Sequence, residues 1–498
     1  GIWYLLMSLN RTKSFNYYNN VESFYEAHSD ILSSLVEKMS GDFNISNNIF
    51  KDAIKRTLSE VLEGGPKSFL WTKRVSFKYK VLYYATMIFF LLNALFGKKT
   101  KKPISKKVVF DMWNINGYNY FYKPLLNLLK KDDVLLYITD NHDSFKKIDF
   151  DTVKVNSSKY LYDSHVSKNI FKTQIASFGF YSNLSKQLNV NIIHIVLNIF
   201  RTIAMYNTNA KQINCYALFS AADNYYNSLR YDIYKKNGIQ NIVLLQNGLR
   251  TGKWANDAVD LYTYCDYYFG FGAEQISIQK GMVCANKIPI GSIKLELMLN
   301  EYRSYHKKEN FDIVFLASYE ESDTPYIKVK TYEKIIDNLC FFKKNHPNLS
   351  VYYSDKKRNN KSIKYSSMID EIKLSGIICS SNNIYNSYEA ILCSEVVLFY
   401  RTTIGLEALA MDKTVLNLNY DKDMIPISQK DCFSVLTSSS YNEFENRLLS
   451  LLKVSRGNTG YDNKKLEYNY MNNSSYNNLP KDILDIVFKN YAKDRHPC

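Results

Sequence analysis

The sequence predicts an α/β protein with two consecutive parallel-sheet units behind a helical region. Three observations carry that prediction. From Lys106 onward, short apolar runs alternate with amphipathic ones across short joins. A charged stretch near residue 305, "YRSYHKKEN", interrupts the alternation, which then begins afresh. Residues 1–104 show helical spacing and no strand alternation. At 498 residues the chain is too long for one ordinary core, and its 46% hydrophobic content is enough to bury two.

In the first region, "VESFYEAHSDILSSLVEKM" and "IFKDAIKRTLSEVLE" place apolar residues on one helical face; the second stops at Gly64-Gly65-Pro66. The apolar run 81–96 follows, with Lys73, Arg74, Lys78 and Lys80 before it and Lys98, Lys99, Lys101, Lys102, Lys106 and Lys107 after it. Sixteen helical residues cover roughly 24 Å, short of the roughly 30 Å hydrocarbon core. Basic flanks on both sides give no inside-outside asymmetry. The preferred reading is a helix lying in the membrane interface with lysines on anionic headgroups. A buried inter-domain helix and a true span are the alternatives.

In the first unit, "KKVVFDMW" reads as a strand, "YFYKPLLNLLKK" as a helix and "DVLLYITD" as a strand. "CYALFSAADN", "YYNSLRYDIYKKNG" and "IQNIVLLQNG" repeat the pattern, as do "CDYYFGFG", "AEQISIQKG" and "KIPIG". Strand–helix–strand units with short joins make the sheet parallel. In the second unit, "FDIVFLAS", "LSVYYSD", "SEVVLFY" and "KTVLNLN" are strands separated by helical segments. "PKDILDIVFKNYAK" is a closing amphipathic helix.

The net charge of +16 admits nucleic acid, anionic lipid or phosphorylated substrates as partners. The lysines beside the apolar run favour a lipid surface over a duplex groove. The eight cysteines form no Cys-x-x-Cys pair and sit mostly in apolar runs, which reads as free thiols in a reducing compartment. No zinc site is expected from the scattered histidines. Tyrosine is so common, 42 residues, that tyrosine clusters receive little functional weight.

Ligands of open parallel sheets sit beyond the carboxyl ends of the strands, so polar residues just after apolar strands are the candidates. The strongest group is in 396–419. After a buried strand, Arg401, Thr402 and Thr403 open a helix, and Glu407 follows one turn on. Helix-start N–H groups, a guanidinium and two hydroxyls suit a phosphate, and Glu407 suits ribose hydroxyls. Plain N-capping with a solvated Glu407 is the alternative. Asp111 and Asp223 end strands and are candidate general bases, or helix caps; His142 is a weaker third. Arg250 and Lys253 follow "QNG" and suit an acceptor phosphate or donor diphosphate, or a solvated loop. Ser318, Tyr319, Glu320 and Glu321 follow the second unit's first strand, and Lys357 and Arg358 follow "VYYSD". Gly291-Ser292 closes the first unit. No dinucleotide fingerprint, P-loop or nucleophile elbow is present. "DFD" at Asp149 to Asp151 is the only Asp-x-Asp match and is discounted.

"SEVVLFYRTTIGLEALAMDKTVLNL" resembles the donor-binding segment of GT-B glycosyltransferases. "NGIQNIVLLQNGLRTG" and "CDYYFGFGAEQISIQKGMVCANKIPIGSIKLE" resemble the middle of bacterial surface-polysaccharide transferases, the CDP-glycerol glycerophosphotransferase-like and capsule-biosynthesis enzymes. "VVFDMWNINGYNYFYKPLLNLL" is similar to their first strand and helix. The likeness runs in order over roughly residues 106–425. It implies a GT-B fold: two Rossmann-like domains facing a central cleft. The expected divisions are a helical membrane-associating region at 1–104, an acceptor domain at 105–304, a nucleotide-donor domain at 305–480 and a terminal helix at 481–498. It also implies a metal-independent transfer of a sugar or alditol phosphate, without a cofactor, from a nucleotide-activated donor. The acceptor would be a lipid-linked or growing glycan at the cytoplasmic face of the bacterial inner membrane, with the protein peripheral and no nucleic acid bound. In similar GT-B enzymes the loop that here runs from Ser318 through Glu320 and Glu321 lies near the donor, with one carboxylate on its hydroxyls; Lys357 and Arg358, by their own position, face a nucleotide phosphate or only water. Where such relatives carry His after Gln, this chain has Gln246-Asn247-Gly248, and Asn cannot act as a general base. A nucleotide-sugar 2-epimerase on the same fold and a non-enzymatic basic binding protein are the competing functions.

Overall fold

The computed structural model describes residues 17–63, 77–97, 102–112, 117–138, 150, 152–154, 162–188, 190–222, 226–248, 262–279, 281–302, 309–318, 328–355, 363–379, 384, 386–422, 433–456, 471–473, 478–489 and 491. Two all-parallel sheets organise them. The first has strands β1 (Ile104–Met112), β2 (Val134–Ile138), β3 (Thr152–Lys154), β4 (Ile213–Ser220), β5 (Ile239–Leu245), β6 (Tyr264–Gly270) and β7 (Val283–Pro289). Their order is β3-β2-β1-β4-β5-β6-β7. The second has β8 (Phe311–Leu316), β9 (Val351–Ser354), β10 (Ser394–Phe399), β11 (Thr414–Leu418) and β12 (Phe433–Leu436), ordered β12-β11-β10-β8-β9. These two sheets form the two-lobed GT-B arrangement expected from the sequence.

The central strands are apolar runs because helices cover both faces of the sheet there, whereas the edge strand β7 is largely exposed. Successive side chains point to opposite faces. In β1, Val109 packs on one side with Leu135, Leu218 and Tyr268, while Val108 and Phe110 pack on the other with Leu136 and Phe219.

Helices α1 (Tyr17–Ala27), α2 (Ser29–Phe43), α3 (Asn47–Glu63), α4 (Phe77–Phe96), α5 (Ser164–Leu188), α6 (Ile192–Ala210) and α7 (Ser228–Lys236) accompany the first sheet. Leu32, Leu35, Phe50 and Ile54 from the leading helices share one buried cluster with Leu218 and Ile242 of the sheet. Polar ties reinforce this: Ser228 Oγ donates to the Ile49 carbonyl at 2.8 Å, and Tyr262 OH donates to Glu22 at 2.6 Å. The expected separate region 1–104 is therefore, in its described part, built into the first lobe. An amphipathic helix must bury its apolar stripe, and here the sheet's helical layer supplies the partner.

Helix α8 (Ile293–Tyr302) leaves β7 and carries the chain toward the second lobe. There α9 (Val329–Asn345), α10 (Ile363–Leu374), α11 (Ser387–Leu392), α12 (Thr403–Glu407) and α13 (Tyr441–Arg456) follow. The second lobe's core takes in Leu295 of α8 and Phe271, which follows β6, so the lobes share packing at their junction. The last helix, α14 (Leu479–Phe488), returns to the first lobe. Leu479, Ile483, Leu484 and Val487 join the cluster containing Phe110 and Phe219. The crossing is fixed by Asn473, whose Oδ1 accepts from Ser292 N at 2.9 Å and whose Nδ2 donates to Ser292 O at 2.9 Å. Cys215, Cys265, Cys340 and Cys393 are buried free thiols.

Gly291, between β7 and α8, has φ +99°, and a Cβ there would lie 2.5 Å from Asn473 Oδ1 and 2.8 Å from Asn473 N. Only glycine meets both demands. Gly291→Ala is expected to lower stability by ~1–3 kcal/mol, read as a reduced urea midpoint. An unchanged midpoint would mean that the crossing segment yields freely.

Candidate functional site

The carboxyl ends of both sheets face one cleft of about 480 Å³. Tyr120 and Phe121 after β1, Asn247 after β5 and Phe271 after β6 line it from the first lobe. Ser292 and Lys294 come from the exit of β7, and Tyr388 from α11. Thr402, Thr403 and Glu407 follow β10.

The turn after β10 is sharp. Arg401 has φ +52°, a left-handed conformation uncommon for a residue with a side chain. It redirects the chain from the buried strand into α12. Gly405 lets that helix press onto the sheet, since a Cβ there would enter the Phe399 ring. Together these bring Glu407 into the cleft, where it is only 3% exposed. Its Oε1 accepts from Ser292 Oγ at 2.9 Å and its Oε2 from Tyr388 OH at 2.5 Å. Burial and the neighbouring carboxylate push the Tyr388 phenol far up, so it stays a donor to Glu407. Each carboxylate oxygen keeps a further lone pair for a ligand hydroxyl.

Arg401, expected to hold phosphate, lines the same cleft, and its guanidinium belongs to a buried network. It pairs with Asp421 Oδ2 at 2.9 Å and lies 5.3 Å from the Tyr400 ring. Asp421 also accepts from Tyr400 OH at 2.6 Å and from the Thr331 hydroxyl. This network pins the strained turn at the cleft wall. Lys294 brings a second cation to the cleft. Its Nζ is 5.1 Å from the Tyr120 ring centre and 5.5 Å from that of Tyr388, and it forms no ion pair among the described residues. Sequence reasoning missed both Lys294 and Tyr388. The available signal was a cation three residues past Gly291, just beyond a strand end.

Other expected residues fall in several places. Asn247 borders the cleft, its Nδ2 donating to the Ala221 carbonyl at 2.6 Å. Gln246 braces the neighbouring turn, with Phe271 N donating to its Oε1 at 2.9 Å. Ser318 is buried and donates to the Tyr400 carbonyl at 2.6 Å, tying the ends of β8 and β10 together. Asp223, Arg250, Lys253, Glu320 and Lys357 lie outside the described residues, as do His142, Tyr319, Glu321 and Arg358.

Asp111, expected as a general base or a helix cap, is not among the residues that line the cleft. It is buried, and its Oδ2 accepts from Arg230 at 2.8 Å, Tyr226 OH at 2.8 Å and Ser220 Oγ at 3.3 Å. The Arg230 guanidinium lies 3.8 Å from the Tyr226 ring centre. The role of Asp111 here is to join β1 to α7.

No protein-family profile matches the chain, and no curated protein does. Among solved structures, the UDP-GlcNAc 2-epimerase from Neisseria meningitidis bound to UDP-GlcNAc is similar over 78% of this chain and 100% of that one, at 13% identity and TM-score 0.43. A putative UDP-N-acetylglucosamine 2-epimerase from Listeria monocytogenes is similar over 78% and 97%, at 12% identity and TM-score 0.47. The wall teichoic acid polymerase TagF is similar over 84% and 98%, at 12% identity and TM-score 0.44. At these scores the likeness carries no argument about the reaction; the fold stands on this chain's own two sheets.

Asp111→Ala leaves Arg230 buried without its carboxylate and is expected to cost ~3–5 kcal/mol in stability, measured by urea unfolding. Wild-type stability with abolished turnover would return Asp111 to a role in catalysis.

Proposed function

We propose that the inter-lobe cleft binds a nucleotide-activated sugar or alditol donor, and that the chain transfers its sugar or alditol phosphate to a lipid-linked or growing surface glycan. The observation that carries this reading is the meeting of Glu407, Thr402, Thr403 and Lys294 at the carboxyl ends of two parallel sheets. In it, Glu407 accepts donor hydroxyls. The Lys294 ammonium and the Thr402 and Thr403 hydroxyls meet the phosphate charge that grows as the donor bond breaks. Arg401 acts on the site indirectly, by fixing the turn.

Transfer is preferred to epimerisation because of α4. One side of this helix is anchored in the protein: Tyr83 and Phe90 are buried, and Tyr83 OH donates to the Gln174 carbonyl at 2.7 Å. The other side exposes Val81, Ala85, Ile88, Leu92 and Leu95, with Phe96 75% exposed. No helix among the described residues is long and apolar enough to cross a membrane. A helix half anchored along its length suits lying in an interface, and exposed Lys80 and Lys102 suit anionic headgroups. Such attachment at the cytoplasmic face of a bacterial inner membrane would bring the cleft to a lipid-linked acceptor. Turnover of donor with no acceptor present would favour the epimerase reading.

A thermal-shift panel of CMP, CDP, UDP, GDP and their sugars tests the cleft. One nucleotide class is expected to stabilise the protein, by ~2.7 kcal/mol at a hundredfold excess over Kd. Lys294→Gln should weaken diphosphate binding by ~1.5–3 kcal/mol, and Glu407→Gln should reduce binding of the sugar or ribose hydroxyls. Full affinity in both variants would remove the cleft from the donor role. Separately, Ile88→Asn with Leu92→Asn should abolish co-sedimentation with phosphatidylglycerol vesicles; undiminished binding would exclude α4 as the attachment.

A further inference from the structure

A second cavity, of about 330 Å³, opens between α3 and α6 and has no part in the donor cleft. Arg56 of α3 and Arg201 of α6 line it, together with Thr57, Thr202 and Asn198, and exposed Met205 contributes an apolar edge. Among the described residues no Asp or Glu contributes to its wall. Arg201 forms no ion pair among the described residues.

The position of the cavity gives this lining its meaning. Tyr162 borders it and also holds the end of α4. The Tyr162 ring lies 5.7 Å from Phe89 and 6.0 Å from Phe90, and its N–H donates to Asn93 Oδ1 at 2.8 Å. Through Tyr162 the cavity lies near the carboxyl-terminal end of α4, the helix whose opposite side exposes Leu92, Leu95 and Phe96. Two arginines in a cavity near a helix with exposed apolar residues suit a group with a phosphate head and acyl tails. Arginine binds a phosphate with two parallel hydrogen bonds, while the neighbouring helix face takes the hydrocarbon.

We propose that this cavity holds the phosphate of an anionic phospholipid headgroup and so fixes how the protein is oriented on the membrane. The proposal rests on the membrane attachment of α4 put forward above. It adds a headgroup-selective site to what would otherwise be a general attraction between lysines and a charged surface.

The test uses the full chain and flotation with two kinds of vesicle: pure phosphatidylcholine, and phosphatidylcholine mixed with phosphatidylglycerol. The wild type is expected to prefer the mixed vesicles. Arg201 is exposed, so Arg201→Gln should fold normally. It should lower binding to the mixed vesicles roughly tenfold and leave the weaker phosphatidylcholine binding unchanged. Lys373→Gln, which removes an exposed charge on the second lobe, should change neither. Equal losses in the Arg201 and Lys373 variants would overturn the site in favour of diffuse charge. So would an absence of headgroup preference in the wild type. If the wild type binds no vesicle, the membrane reading and the site fall together. If it binds both kinds equally and the α4 variant binds neither, only the site falls. Soluble glycerol phosphate separates the two sources of phosphate: stabilisation by it that depends on Arg201, without any phosphatidylglycerol preference, would make the occupant a free phosphate and overturn the lipid assignment.

Discussion

The arrangement of the cleft turns on one buried carboxylate. Glu407 bridges Ser292, at the start of the helix leaving the first sheet, and Tyr388, on α11 of the second lobe. A buried charge is tolerated only where hydrogen bonds replace its water, and here both bonds come from residues that line the cleft. The same Ser292 is clamped through its backbone by Asn473 of the returning segment. Junction, returning chain and candidate ligand site are thus one connected hydrogen-bond network.

A second constraint sits behind it. The left-handed Arg401 turn stores strain, and the Asp421 network holds it in place. Strain of this kind persists only where the surroundings over-determine it. The arginine thereby helps to present Thr402, Thr403 and Glu407, and it shares the cleft wall with Lys294. The two positive charges differ in their surroundings: Arg401 is paired with Asp421, and Lys294 forms no ion pair among the described residues.

The alternation of apolar strands and amphipathic helices made both sheets legible, and the break near residue 305 falls between α8 and β8. The turn at Arg401 and the placement of Glu407 were also legible, because position after a buried strand is a local property. Partners distant in sequence were not. Asp111 reads as a free strand-end carboxylate until Arg230, 119 residues away, is brought beside it. Tyr388 was hidden by the abundance of tyrosine, and Lys294 by being one lysine among many in a basic chain. The leading helices read as separable because their hydrophobic stripe is visible in sequence, whereas the sheet layer that covers it is not. The apolar run 81–96 reads as uniformly apolar. Only packing shows that Tyr83 and Phe90 are committed to the protein while Leu95 and Phe96 remain uncovered.

The most direct measurement of the central claim is a crystal structure of the chain soaked with the nucleoside diphosphate that stabilises it best. The account predicts phosphate density between Lys294 and the Thr402–Thr403 turn, with a ribose or sugar hydroxyl within hydrogen-bonding distance of Glu407. A diphosphate bound away from the seam between the lobes, with Lys294 and Glu407 untouched, would contradict it.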